Sequence, residues 1–537
     1  MSNPTTTNPE REGAKGIPPL SVTFHDDPAV VAESATEDYT THVMPKSWRS
    51  GRWSLVMAWG SMFGAVFWLY IAAMVAATVG TTNALIGIAA SVLVWGGINY
   101  VLSQYAIRTG LTVALLSRRL FGLVGSLLAP LIFAATATYY SVFEGSVVAQ
   151  ALHSYFGVGD IRLWYLLVVL YSIPLVMGGV RTWLDKLNGA LLPFYVIGMA
   201  ALVIWASVKH PASLSLPDQR TDLAAPGWVW AFTVYMGVWV LMMYTVDFAR
   251  FGKPADIKFH RTFTFGPVFY TLTLLVNGLI GIFLAATVPG VLGLGGITET
   301  GMVNAITGTM GVFGLLLIVI SQTRINSANL YLASSNLEAF VSRVIPFKLH
   351  RAVFAVAAGV LVYIIMLTDV FSYILRALNW QGVFVVAWVG IALTHIVLTR
   401  TKETLPEFRP GRLKAFTPAV AVWLVVSLLG IYLVEGAGTV GATWSAPITL
   451  ALSVVGYAIA FRFDSLLHRD NDPRDEVDDV WEARIRCHAC EKSYIAVEID
   501  RDPSAGYKAI CSACAASRPG FHAAARRDAE PTAQLAN

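Results

Sequence analysis

The stretch AATATYYSVFEGSVVAQAL, residues 134–152, is apolar enough to lie in a bilayer, yet it carries a carboxylate, Glu144, near its middle. Insertion scales put a charged residue at the centre of a membrane helix at about 2.5–3.5 kcal/mol, so such residues persist mainly beside a polar cavity, a partner or a passing solute. Thr136, Tyr140 and Glu144 recur at i, i+4 and i+8 and therefore share one helix face. That face can clamp a flat, nitrogen-bearing ring, with Tyr140 stacking on it and Glu144 accepting its hydrogen bonds. The competing reading is a structural pair between Glu144 and another buried group such as Arg324.

Outward from this stretch the chain keeps the same character. Its 537 residues are 55% hydrophobic and 13% charged, against roughly 25% charged in a soluble globular protein. Residues 1–45 and 464–537 are polar, whereas 52–463 is a succession of apolar runs, each about twenty residues long, the length that crosses a bilayer. Twelve spans are read, at approximately 53–79, 82–104, 122–151, 162–180, 187–208, 227–248, 265–288, 308–334, 352–370, 378–399, 416–434 and 445–463. No cleavable signal peptide is expected, because the first 45 residues lack an apolar core segment. The net charge of +4 does not point to nucleic acid, since the basic residues lie in loops between the apolar runs. They also alternate. Arg49 and Arg52 precede the first span, Arg118 and Arg119 follow the second, and Arg250, Lys253 and Lys258 follow the sixth, while VPGVLGLGGITETGM and EGAGTVGATW carry no Lys or Arg. By the positive-inside rule both termini are expected in the cytoplasm, in a multi-pass protein of the plasma (inner) membrane.

Within the spans, the first contains AWGSMFGAVF, with Gly60 and Gly64, and the sixth contains VYMGVWV, with Gly237. Glycine interruptions at matching places in two halves point to broken helices around a midplane binding site, although glycine also simply permits close helix packing. The eighth span ends SQTRINSANLYLASSN, where Gln322, Asn326 and Asn329 recur at i, i+4 and i+7 as an amide stripe. Amides offer both donors and acceptors, which suits reading the edge of a heterocycle; they also serve as glue between membrane helices. Asp247 and Arg250, in VDFARF, are spaced to pair as a structural or gating contact. Asp369, Arg376 and His395 lie near span ends and read as interfacial residues.

All four cysteines fall in the polar tail, as CHAC at 487–490 and CSAC at 511–514. This C-x2-C-x20-C-x2-C spacing is that of a four-thiolate zinc site, so Cys487, Cys490, Cys511 and Cys514 are expected to hold one structural Zn2+, with iron or a redox dithiol as the alternatives. Between the pairs, SYIAVEID and YKAI read as strands joined by the turn RDPSAG. The expected organisation is a disordered arm over 1–45, a transporter domain over 46–463, a charged linker over 464–482 (LHRDNDPRDEVDD at its heart), an independently folding zinc-ribbon-like module over 483–520 and a disordered tail over 521–537.

Three segments, in this order and spacing, resemble one known family. LLSRRLFGLVGSLLAP resembles that family's "VLSR.SFG..GS..P", VDFARF its "DFSRF", and NSANLYLASSNLEAF its "SANL" stretch. The family is nucleobase:cation symporter family one, the permeases of cytosine and purines, uracil, allantoin and hydantoins, and the similarity covers about residues 50–460. The resemblance implies an all-α membrane protein of LeuT type: inverted five-helix repeats at about 50–208 and 226–400, plus two extra helices over 416–463. It further implies that a planar substrate is sandwiched between an aromatic residue of the third span and Trp239 of the sixth. The family's third-span W-F-G-x-Q pattern falls on residues 140–144, giving Tyr140 the stacking role and Glu144 that of the amide, while Asn329 matches the Asn that bonds the heterocycle. Gln322 joins these as an expected substrate contact. The family's sodium-coupling hydroxyl pair falls on Thr323 and Arg324, so one hydroxyl has become a permanent cation.

The expected function is therefore secondary transport of a nucleobase-like heterocycle such as cytosine or a purine by alternating access. It is expected to be independent of sodium and driven by protons or by exchange. Two other readings fit the composition: a membrane sensor that signals through the zinc module, and an amino-acid or betaine carrier of the same fold. An enzyme is not expected, because no pair of catalytic groups stands at useful spacing.

Overall fold

A computed structural model describes residues 17–219, 223–291, 297–345, 349–368, 370–400, 403 and 405–534. In chain order the helices are α1 (Pro28–Glu37), α2 (Arg52–Trp59), α3 (Val66–Thr109), α4 (Val113–Phe121), α5 (Leu128–Phe156), α6 (Ile161–Val176), α7 (Asp185–Lys209), α8 (Gly227–Met236) and α9 (Val240–Ala249). The span Pro254–Thr287 follows as α10 (Ile257–Phe259), α11 (Pro267–Tyr270) and α12 (Asn277–Thr287), with π turns between them. Then come α13 (Glu299–Met310), α14 (Val312–Val344), α15 (Arg351–Met366), α16 (Val370–Thr399), α17 (Pro418–Gly436) and α18 (Gly438–Ala460). The tail carries α19 (Ser512–Ala516) and α20 (Pro519–Gln534).

Twelve spans are expected from the sequence. Among the described residues, seven helices are long and apolar enough to cross a membrane, or eight if α8 and α9, bent by 45°, form one span. The shortfall has physical reasons. The 44-residue α3 joins two apolar runs across Gly80, whose φ of +77° is a conformation open chiefly to glycine. α6 and α15 are apolar but only 16 residues long. α14 dilutes its apolar surface with Gln322, Arg324, Asn326 and Asn329.

The arm and tail depart further from expectation. Residues 17–45 are not a disordered arm. Asp27 caps α1 by accepting from Ala29 N, and β1 (Val22–Thr23) pairs antiparallel with β2 (Arg484–Arg486), which pairs in turn with β3 (Ser493–Ile495). A second hairpin joins β4 (Ile499–Asp502) to β5 (Lys508–Cys511). The described part of the expected tail, 521–534, belongs to α20, whose Phe521 and Ala525 are buried in the module's core. Nor does the module stand apart from the bundle. Arg118 on α4 donates to Ser512 Oγ, and from the loop before α17 Arg409 donates to Ile499 O and Arg412 pairs with Asp500, while Arg409–Asp472 and Arg119–Asp464 hold the linker. Burial alone would raise the Glu407 carboxyl, but Arg409 and Arg474 hold it down at about 2. The sequence reading missed this docking because the partners are separated by up to several hundred residues and carry no local spacing signal.

The arm also reaches into the terminus-bearing end of the bundle. Asp38 accepts from Val180 N at 2.7 Å and from Tyr331 Oη at 3.0 Å, and Arg250 donates to Tyr39 O. The expected Asp247–Arg250 pair is replaced by other bonds. Asp247 accepts from Val113 N at 2.8 Å, and Arg250 Nε reaches only the Asp247 backbone carbonyl.

Candidate functional site

Between α2 and α3 the helix stops for six residues, 60–65, and the freed carbonyls must find donors. Side chains supply them. Arg324 Nη2 donates to Gly60 O at 2.7 Å, Trp68 Nε1 to Met62 O at 3.0 Å and Asn277 Nδ2 to Phe63 O at 2.6 Å, while Ser321 Oγ donates to Gly64 O. Gln322 works in two directions: its Oε1 accepts from Val66 N at 3.0 Å, and its Nε2 donates to Glu144. Arg324 meets no carboxylate among the described residues; its guanidinium lies 5.8 Å from the Phe63 ring centroid and 5.4 Å from that of Tyr195. A Cβ on Gly64 would come 3.0 Å from Arg324 Nη1, so glycine there makes room for the guanidinium.

The second break, at residues 237–239, is built differently. Short backbone bonds close it, from Gly237 N to Val234 O, Val238 N to Tyr235 O and Met242 N to Trp239 O. No side chain caps the start of α9 at Trp239. In the break and on its two helices, buried donors have no partner among the described residues: Trp239 Nε1, Tyr244 Oη and Tyr235 Oη; on α14, Asn329 Nδ2 is likewise buried without a partner. α16 packs against this break, since a Cβ on Gly382 would lie 3.3 Å from Gly237 O, and the Nε2 of neighbouring Gln381 is likewise without a partner.

Of the residues expected from the sequence, Glu144 and Gln322 are in direct contact and Tyr140 stands one turn before Glu144 on α5. Arg324 stands at the first break and bonds it, but Thr323 does not join it. On an α-helix residue 323 points about 100° away from residue 324, and its hydroxyl meets Tyr171 on α6 at 3.0 Å. The hydroxyl that shares the Arg324 face is Ser321, three residues earlier. The amide stripe also divides. Asn326 Nδ2 points to Ser172 on α6 and packs near Gly145, a contact between helices, whereas Gln322 faces the break. His395 is buried, bonding Tyr457 at 2.9 Å, instead of lying at an interface; Arg376 bonds Glu435, and the Asp369 expectation falls outside the described residues. Tyr244, Gln381, Ser321 and Asn277 went unnoticed in the sequence. A buried amide inside an apolar run, as at Gln381 and Asn277, is the signal that marks two of them.

In the tail, one Sγ from each of Cys487, Cys490, Cys511 and Cys514 lies within 4.8 Å of the others, a cluster that could hold a metal ion. Cys487 Sγ also accepts from Ala489 N and Cys511 N, at 3.4 and 3.3 Å. Backbone N–H donors aimed at sulfur favour its thiolate form, the form that binds metal.

The family model described as permease for cytosine/purines, uracil, thiamine, allantoin matches residues 43–457. A comparison with curated proteins gave no match. Among solved structures, Mhp1, a nucleobase-cation-symport-1 family transporter in a closed conformation with bromovinylhydantoin bound, is similar at TM-score 0.61 and 17% identity, over 78% of this chain and 94% of that one. The inward-facing conformation of Mhp1 gives TM-score 0.56 at 19% identity, over 78% and 92%. A Na+-coupled sialic acid symporter in a substrate-bound outward-open state gives 0.57 at 14%, over 81% and 93%. These likenesses show a LeuT-type transporter fold.

Proposed function

We propose that this chain, which belongs to the family of permeases for cytosine/purines, uracil, thiamine and allantoin, carries a nucleobase-like nitrogen heterocycle across the membrane by alternating access. It is a multi-pass membrane transporter and not an enzyme. In the full reading it has twelve spans with both termini in the cytoplasm. The observation that carries the substrate class is the set of buried, unpartnered donors Trp239 Nε1 and Tyr244 Oη at the second break and Asn329 Nδ2 on α14, together with the carboxylate of Glu144. A heterocycle offers ring nitrogens and carbonyls to such donors and its own N–H groups to Glu144. Tyr140 and Trp239 supply the stacking faces. A thermal-shift screen of purified protein against nucleobases, hydantoins and related pyrimidines tests this, because an occupied site stabilises the fold by mass action. Stabilisation by cytosine, a purine or a close analogue supports the reading; no response to any heterocycle in the panel overturns it.

Coupling follows from the first break. Arg324 brings a permanent cation against the Gly60 carbonyl, and a fixed cation there would repel sodium and replace its role. Transport then runs without sodium, on a proton carried at Glu144 or on exchange. The tail cluster holds one structural Zn2+ in a tetrahedral four-thiolate site, which leaves no open position for chemistry. A chelator should release one zinc per chain and unfold the module, since metal supplies much of the stability of such small domains. A preparation whose module keeps its protease resistance with no metal bound would contradict this.

A further inference from the structure

Between the cysteine module and the terminus-bearing end of the bundle lies a cavity of about 110 Å3. Arg118 on α4 and Arg343 near the end of α14 both line it, as do His42 of the arm and Cys490, Cys511, Cys514 and Ser517 of the module. Most buried arginines around the module meet a carboxylate: Arg119, Arg409, Arg412, Arg469, Arg474, Arg484 and Arg501 all do. Arg118 and Arg343 form no ion pair among the described residues.

Arg118 is 5% exposed, its Nη1 bonds only the Ser512 hydroxyl at 2.8 Å, and its Nε has no partner. Arg343 donates to Leu123 O and, at 3.5 Å, to Ser126 Oγ, and its Nε is also unpartnered. The two guanidinium groups stand within electrostatic reach of each other. Glu498 lies within reach of Arg118 as well, but its two oxygens are already taken by His42 Nδ1 and Val43 N. His42 Nε2 is a further buried ring nitrogen without a partner beside the same cavity.

Two like charges buried side by side are costly; the thiolates of the lining cysteines offset part of that charge but accept no hydrogen bond from either guanidinium among the described residues, so a shared anion would still meet the unmet donors. We propose that this cavity is a binding site for a phosphate group, held by Arg118 and Arg343 and bridging the cysteine module to the transport core. Guanidinium forks match the planar spread of phosphate oxygens, and the cavity has room for one such group with water. The phosphate can belong to free inorganic phosphate or to the headgroup of an anionic phospholipid.

The test uses the full zinc-loaded chain, delipidated in detergent, and isothermal titration calorimetry with inorganic phosphate. One phosphate per chain should bind, and Arg118→Gln and Arg343→Gln should each weaken it at least tenfold with the melting temperature of the unliganded protein retained. Arg343, less deeply buried, serves as the arm least exposed to misfolding. The second arm places the protein in nanodiscs of phosphatidylcholine with or without phosphatidylglycerol and follows hydrogen exchange at residues 113–119 and 512–517. Protection that requires phosphatidylglycerol and is lost in both variants assigns the site to a lipid headgroup and also supports the proposal. Absence of both phosphate binding and lipid-dependent protection overturns it. Zinc release from the variants, with no anion bound by the parent chain, overturns it too, and assigns the two arginines to neutralising the metal–thiolate charge.

Discussion

The two helix breaks face the same physical problem and solve it in opposite ways. At residues 60–65 the backbone opens widely, and Arg324, Asn277, Trp68, Ser321 and Gln322 bring side-chain donors and acceptors to it. At 237–239 the backbone satisfies itself through short local bonds, and it is the side chains, Trp239 and Tyr244, with Asn329 on α14, that keep unmet donors. In hydrocarbon an unmet polar group is expensive. The backbone of the first break is thus finished by the protein's own side chains, with Arg324 Nε and Nη1 left unpartnered among the described residues, and the second break presents donors that a solute can meet. Glu144 is bonded to Gln322 at the first break and stands one turn after Tyr140 on α5.

The largest effect should come from the first break. Gln322→Ala leaves Val66 N and Glu144 without their partner, at about 1–3 kcal/mol for each group. Denaturant or thermal unfolding in detergent should register the loss with or without substrate; unchanged stability would mean that the break does not depend on these side chains. At the second break the loss should fall on binding. Trp239→Ala should weaken heterocycle binding by about 1–3 kcal/mol, by analogy with base–aromatic stacking, and Tyr244→Phe, which deletes only an unpartnered hydroxyl, should leave the melting temperature of the unliganded protein unchanged. Normal affinity in Trp239→Ala would remove the second break from the site. Smallest in stability is Glu144→Gln. The amide oxygen still accepts from Gln322, so the fold should hold, while the pH dependence of uptake should flatten because the titrating group is gone. A pH profile identical to that of the parent chain would take proton carriage away from Glu144.

The membrane part was legible from the sequence for a definite reason: apolar length, basic loops and glycine interruptions are local signals. They give the broken helices at Gly60–Gly64 and Gly237, and the cost of a buried charge singles out Glu144 and Arg324. What local signals cannot give is the direction of each side chain around α14. Thr323 and Asn326 turn to α6, while Ser321 and Gln322 turn to the break. The arm and tail were misread for a related reason. Polar composition between 17 and 45 suggests disorder, yet β1 completes a sheet with residues more than four hundred positions away, Val30 and Tyr39 join a core with Ile485, Ile510 and Phe521, and buried ion pairs such as Arg469–Asp500 surround it.

Arg324 at the first break is the feature on which the account of coupling turns, and uptake into proteoliposomes tests it most directly. Labelled substrate identified by the thermal screen is loaded for counterflow with all sodium replaced by choline. The account predicts undiminished exchange, because the guanidinium at the Gly60 carbonyl already supplies the positive charge. A strict requirement for sodium would contradict it.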